Sequence, residues 1–277
     1  MYRYGISMAS MLTLNYLSLG KNHGLPSLAE IMVFARVFDF DFVQGLPIRG
    51  TDPGELSTYS DEDKAPVRYY EGAWNAVPGL MHALRQEPGT EGTPSNWLDW
   101  YLFPNAAECY RIEEEFNRIG ARKIGHDMIG PGCRLTEIHS GLKLFPENIR
   151  DLCEQTGQRL VLDTTHLVDQ KHSQCLGNDW VEWKHTVMTL SPYIDVIHVH
   201  PVDGEFAAFL RGDSTLTERI IGWALKYTGG RDLDLIAEYN PGFAGFGISL
   251  VSPFVNANLA HKMLKAIRRV TMYKCQE

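Results

Sequence analysis

Cysteine is sparse in this chain and poorly arranged for cross-linking: five residues, an odd number, with no CxxC spacing. That argues against a disulfide framework or a cysteine zinc site and makes a reducing, cytoplasmic setting the expectation. No apolar run approaches the roughly 20 residues of a membrane span. The opening MYRYGISMASML places polar and small residues where a secretory leader needs a continuous apolar block. Neither a leader nor a membrane partner is therefore expected. Basic runs are also missing, since 26 Lys and Arg face 34 Asp and Glu for a net charge of −8. An acidic whole lowers the expectation of nucleic-acid binding and points to small-molecule partners.

No short repeat, low-complexity tract or dividing linker is visible. With 44% hydrophobic and 22% charged residues, the 277-residue chain is ordinary globular material. A single domain over 1–277 matches the roughly 250 residues of one TIM barrel.

What the sequence does contain is a recurring pattern, a short apolar run followed by an amphipathic stretch, as in βα units around a parallel sheet. Strands are expected at Tyr4–Ser7, Phe42–Leu46, Val67–Tyr70, Lys123–His126, Arg134–His139, Arg159–Asp163, Val196–His200 and Leu233–Glu238. Helices are expected at Leu28–Phe38, with Ser27 and Glu30 as a capping box, and at Ala106–Ile119, closed by Gly120. Two more are Pro146–Thr156, punctuated by Gly157, and Asn256–Thr271, with its basic last turn. Gly50–Lys64 and Gln86–Ser95 read as loops. The connection from His126 to Arg134 is too short for a helix, so the expected (β/α)8 barrel is irregular around strands 3 to 5.

Chemistry concentrates at strand ends. RLVLDTTHL ends an apolar run in Asp163, with His166 three residues on. DVIHVHPVDG ends in His198, His200 and Asp203; LDLIAEYNPG ends in Glu238; CRLTEIHSG ends in Glu137 and His139. Parallel barrel strands deliver their C-terminal residues to one face, where active sites are built. Carboxylates and imidazoles converging there need neutralising, and a divalent cation does so directly.

Each residue also has a plainer reading. Asp163 could be only a helix N-cap. His198 and His200 are two apart and share a side of the strand, with His198 one layer deeper as interior filling. His126 is either a substrate contact or a polar strand terminus. The agreement of four strands is what favours a site.

The apolar-Asp-x-x-His end, the His-x-x-Asp end (His200 to Asp203) and the final apolar-Glu resemble the xylose-isomerase-like TIM barrels. That superfamily includes sugar isomerases, epimerases and the endonuclease IV group. The resemblance runs from Arg134 onward. It implies Glu137, Asp163, His200 and Glu238 as ligands of one divalent ion (Mn, Mg, Co or Zn), with Glu137 and Glu238 also catalytic. His166 becomes a substrate contact or a second-metal ligand, and Asp203 orients the ligand histidine. Arg211, in FLRGDSTL, becomes a substrate anchor and is otherwise an exposed loop arginine.

Two departures weigh against the endonuclease branch: VRYYEGAWN carries no histidine and FLRGDSTL no Asp-x-His pair. The leading expectation is a metal-dependent sugar (or sugar-like) isomerase or epimerase working by proton transfer beside a metal-bound carbonyl. The alternatives are a metal-dependent phosphodiester hydrolase and a non-catalytic ligand-binding barrel. Trp74, Trp97 and Trp100 could line a sugar pocket, though such residues are more often core. Barrels of this family often associate, so the resemblance allows a homo-oligomer, while the sequence does not set the oligomeric state.

Overall fold

The computed structural model describes residues 1–11, 27–46, 62–71, 106–126, 135–137, 145–168, 179–239 and 253–274. Eight parallel strands follow one another in chain order around a closed barrel. They are β1 (Tyr2–Ser7), β2 (Phe42–Gly45), β3 (Val67–Glu71), β4 (Arg122–His126), β5 (Leu135–Glu137), β6 (Arg159–Asp163), β7 (Ile194–Val199) and β8 (Leu233–Ala237). The described helices are α1 (Met8–Met11), α2 (Leu28–Val37), α3 (Ala106–Arg118), α4 (Pro146–Thr156), α5 (Trp180–Leu190), α6 (Phe206–Arg211), α7 (Leu216–Tyr227) and α8 (Pro253–Lys274). Among them no helix is long and apolar enough to cross a membrane. The chain divides into two compact units.

The unit containing β2, β3, α2 and α3 is organised by aromatic packing. Ser27 and Glu30 form the expected capping box, each side chain bonded to the other's backbone N–H, at 3.2 and 2.7 Å. Two of the four unpartnered donors at the helix start are thereby satisfied. Tyr70 of β3 stacks on Phe116 of α3 with centroids 5.0 Å apart, and its hydroxyl donates to Asn117 at 2.9 Å. Gly45 of β2 is required by the same packing: a Cβ there would lie 2.6 Å from the Phe116 ring. The β2–β3 register shifts between Val43 and Gln44. The segments 50–61 and 86–95, read as loops, and the connection after His126 lie outside the described residues.

The other unit carries β1 and β5–β8, with α4–α7. Its strands are nearly continuous apolar runs, buried along most of their length, as strands covered on both faces require. Pro at the first turn and Gly157 in the left-handed region (φ 70°) bound α4 as expected.

One irregularity here has a direct structural effect. Leu160 pairs with Ile194, but Val161 pairs with Val196, so β7 carries one extra residue, Asp195, against β6. A bulge of this kind reverses which residues face which side beyond it. After it, Asp163 lies beside His198 rather than beside an isoleucine. Asp195 is held in place by Arg159 at 2.8 Å, and Arg231 donates to the Ile194 carbonyl at 3.0 Å.

Candidate metal centre

Strand register explains why the site residues share one face. Laterally paired residues in a parallel sheet point the same way, and parity repeats every second residue. Glu137 pairs with Val161, two before Asp163; Asp163 pairs with His198; His198 pairs with Ile236, two before Glu238. Glu137, Asp163, His198 and Glu238 therefore emerge on one side, at three successive levels. The strand ends deliver them there without any contribution from long loops.

His198 lies between the two glutamates. Its Nδ1 is 3.0 Å from Glu137 Oε2 and 3.0 Å from Glu238 Oε2. The Glu238 contact is close but misaligned: Oε2 is buried and accepts no hydrogen bond from the described residues. His166 Nε2 lies 3.8 Å from Glu137 and 4.0 Å from Asp163, and His200 Nδ1 lies 3.8 Å from Asp163.

No helix directly follows Asp163, so it caps a turn and not a helix, with its two oxygens in different settings. Oδ1 accepts from the backbone N–H of Thr165 at 2.6 Å and of His166 at 2.8 Å, closing the turn after β6. Oδ2 is the atom nearest the histidines. The two threonines then tie this turn to β7, because Thr164 and Thr165 hydroxyls donate to the His200 carbonyl at 2.6 and 2.8 Å.

Burial disfavours charge on Asp163, yet His166, His200 and His198 outweigh it and hold its carboxyl well below the usual range. Burial likewise opposes a proton on His200, but Asp163, followed by Glu238 and Glu137, raises its imidazole to about 9. Glu238 is pushed up by burial and by the charges of Glu137 and Asp163, against the opposing pull of His198. Acids and bases packed this closely trade protons among themselves, and such perturbation marks functional clusters.

Three further predicted residues lie on the turn after β7, on α6 and on β4. Asp203 sits exposed in the turn after β7. Arg211 ends α6, solvent-exposed and 2.6 Å from Asp213, so half of the segment read as a loop is helical. His126 closes β4 in register with Glu137, and its side chain lies outside the described residues. His139, Trp74, Trp97 and Trp100 also lie outside them.

Sequence reasoning leaves His198 out of the site and passes over a further strand-end glutamate, Glu71, in the other unit. His198 was given a filling role because parity does not separate it from His200; the structure gives it the shorter contacts. Glu71 ends β3, buried, and accepts a hydrogen bond from Gln44 Nε2 within its own unit. VRYYE is an apolar strand ending in a glutamate, the same signal that marked Glu238.

Neither a family model nor a curated protein matches the sequence. Solved structures do match in fold. A D-allulose 3-epimerase from Methylomonas sp. aligns over 97% of this chain and 98% of its own, at 12% identity and a TM-score of 0.50. The same enzyme in complex with D-allulose aligns over 97% and 96%, at 12% identity and a TM-score of 0.48. An amidohydrolase from Burkholderia multivorans aligns over 96% and 91%, at 12% identity and a TM-score of 0.37. The chain has an α/β TIM-barrel fold, and its likeness to these structures is one of fold alone.

Proposed function

We propose that this protein is a metal-dependent isomerase or epimerase acting on a sugar or sugar-like polyol. The observation that carries this reading is the pair of glutamates, buried Glu137 and partly buried Glu238, each 3.0 Å from His198. Two such groups can move a proton from one face of a carbon to the other, one removing it and the other returning it.

The donor set fits a divalent ion. One atom each from Asp163, His198 and Glu238 lies within 4.8 Å of the others, as does one each from Glu137, Asp163 and His166. Glu238 Oε2 is buried without a hydrogen bond, an expense a cation would remove. Oxygen and nitrogen donors without sulfur suit Mn, Mg, Co or Zn. Glu137, Asp163 and Glu238 would hold the ion together with a β7 histidine, for which the resemblance favours His200 and the distances favour His198. When bound, such an ion polarises a carbonyl and fixes the neighbouring hydroxyl.

The protein's own groups do the rest. One of Glu137 and Glu238 removes the proton beside the carbonyl and the other returns it. Glu238, whose carboxyl is pushed up by burial, is suited to carry a proton. His166, less buried than Asp163 and Glu137, is placed to meet a substrate hydroxyl. Arg211 would serve as an anchor only after leaving Asp213. The shared architecture with D-allulose 3-epimerase supports a sugar as the substrate class.

The test is proton exchange at the carbon beside a ketose carbonyl, followed in D₂O with added Mn²⁺. Exchange that is lost in Glu137→Gln and Glu238→Gln supports the proposal. Absence of exchange across a panel of ketoses, together with cleavage of an abasic-site duplex, would replace it with a phosphodiester hydrolase.

A further inference from the structure

Helices α5 and α7 pack side by side and leave a cavity of about 610 Å³. Its lining includes Lys184 from α5 and Glu218, Arg219, Trp223, Lys226 and Tyr227 from α7. Arg219, Trp223, Lys226 and Tyr227 fall at i, i+4, i+7 and i+8, so they share one side of α7.

The charge on this lining is unbalanced. Among the described lining residues the one carboxylate, Glu218, is engaged by Arg269 at 2.8 Å. Lys184, Arg219 and Lys226 form no ion pair with a described residue. Three uncompensated cations around one hollow, in a chain of net charge −8, concentrate positive potential at that spot. The planar fork of an arginine suits phosphate oxygens, and the two lysines add point charges. Trp223 and Tyr227 are half-buried and offer ring faces beside the cations. The volume falls within the roughly 300–1,000 Å³ of small-molecule sites.

We propose that this cavity binds a small, ring-bearing phosphate ester. Its phosphate lies against Lys184, Arg219 and Lys226, and its ring lies against Trp223 and Tyr227. The residues involved are separate from the strand-end cluster, so this site stands or falls independently of the isomerase reading.

The test uses ADP, inorganic pyrophosphate and adenosine as probes, titrated calorimetrically into the full chain at low salt. A chelator is present throughout, so that no probe can bind through a metal at the strand ends. ADP is expected to bind most tightly, pyrophosphate more weakly and adenosine least. Arg219→Glu and Lys226→Glu together should weaken ADP about tenfold or more, which corresponds to about 1.4 kcal/mol. Trp223→Ala should weaken ADP and leave pyrophosphate unchanged. Lys184→Gln, on the other helix, gives a second reading if the double variant does not fold. The proposal is overturned if no probe saturates, or if ADP binds the folded charge variants as it binds the parent.

Discussion

Thr164 and His200 are joined through both polar atoms of one backbone unit. The Thr164 hydroxyl donates to the His200 carbonyl at 2.6 Å and accepts from the His200 N–H at 3.0 Å. This fully buried hydroxyl fixes the distance between the end of β6, which supplies Asp163, and the end of β7, which supplies the histidines. Thr164→Val keeps the shape but removes the acceptor of the His200 N–H and leaves the His200 carbonyl to Thr165 alone. The expected cost is about 1–3 kcal/mol of stability by chemical denaturation. Metal uptake should weaken as well, and Thr164→Ser should recover both. A valine variant with unaltered metal affinity would show that this clamp does not set the ligand spacing.

His198→Leu is expected to destabilise the metal-free protein strongly. It removes the group lying 3.0 Å from both Glu137 and Glu238 and leaves two neighbouring buried carboxylates. Stripping one member from a buried charged set typically costs about 3–5 kcal/mol. Two acids in one site cannot both ionise easily, so their proton affinities rise. The variant's stability should therefore be greatest in acid and fall as the pH rises through the carboxylate range. Added Mn²⁺ should restore part of it. Thermal melts with and without metal, at several pH values, give the answer.

The pH dependence of the metal-free parent follows from three groups. Asp163 is depressed, so its contribution is present above its unfolded value of 3.8 and is lost as the pH falls toward the folded value. His200 is raised, so its contribution is complete below 6.5 and is lost as the pH climbs through about 9. Glu238, raised from 4.5, adds a loss in the same alkaline direction. In chelator, the melting temperature should decline from neutral pH toward about 9. Metal addition at neutral pH should also release a proton if His200 is a ligand. Calorimetry in buffers of differing ionisation enthalpy measures that proton, and its absence would favour His198.

Gly45→Ala should destabilise the unit that contains it. The new Cβ would lie 2.6 Å from the Phe116 ring, which is itself stacked on Tyr70. Overpacking of this kind costs about 1–3 kcal/mol. Phe116→Leu in the same chain should recover part of the loss, read as a partial return of the denaturation midpoint.

Much of the fold was legible because strand ends in this chain are abrupt. RLVLD changes from apolar to charged within one residue, and β6 starts and stops where that change places it. β7 was less clear: it begins at Ile194, two residues earlier than its apolar run suggests, because Asp195 interrupts the pattern as an inserted residue. Helix α4 announced both ends through Pro146 and Gly157. Helices α5 and α7 carried weaker punctuation, with caps at Asp179 and Thr215 that are recognisable chiefly once the backbone is known.

Within the candidate site, Glu137, Asp163 and Glu238 could be found by their positions at the ends of apolar runs. The choice between His198 and His200 could not, because residues two apart point the same way and only depth separates them. Depth depends on where β7 meets β6, and an unpaired residue in the strand controls that meeting point. Sequence periodicity does not record such an insertion.

The extra residue at Asp195 consequently behaves like a frame in a reading sequence. Pairing it into a regular ladder, with no change of sequence, would exchange inside for outside along the rest of β7. Ile197 and Val199 would then replace His198 and His200 on the side shared with Asp163. Deleting it would join Ile194 directly to Val196 and leave His198 beside Asp163. A single residue kept out of the ladder, more than the identity of any one side chain, thus decides which face of β7 meets Asp163.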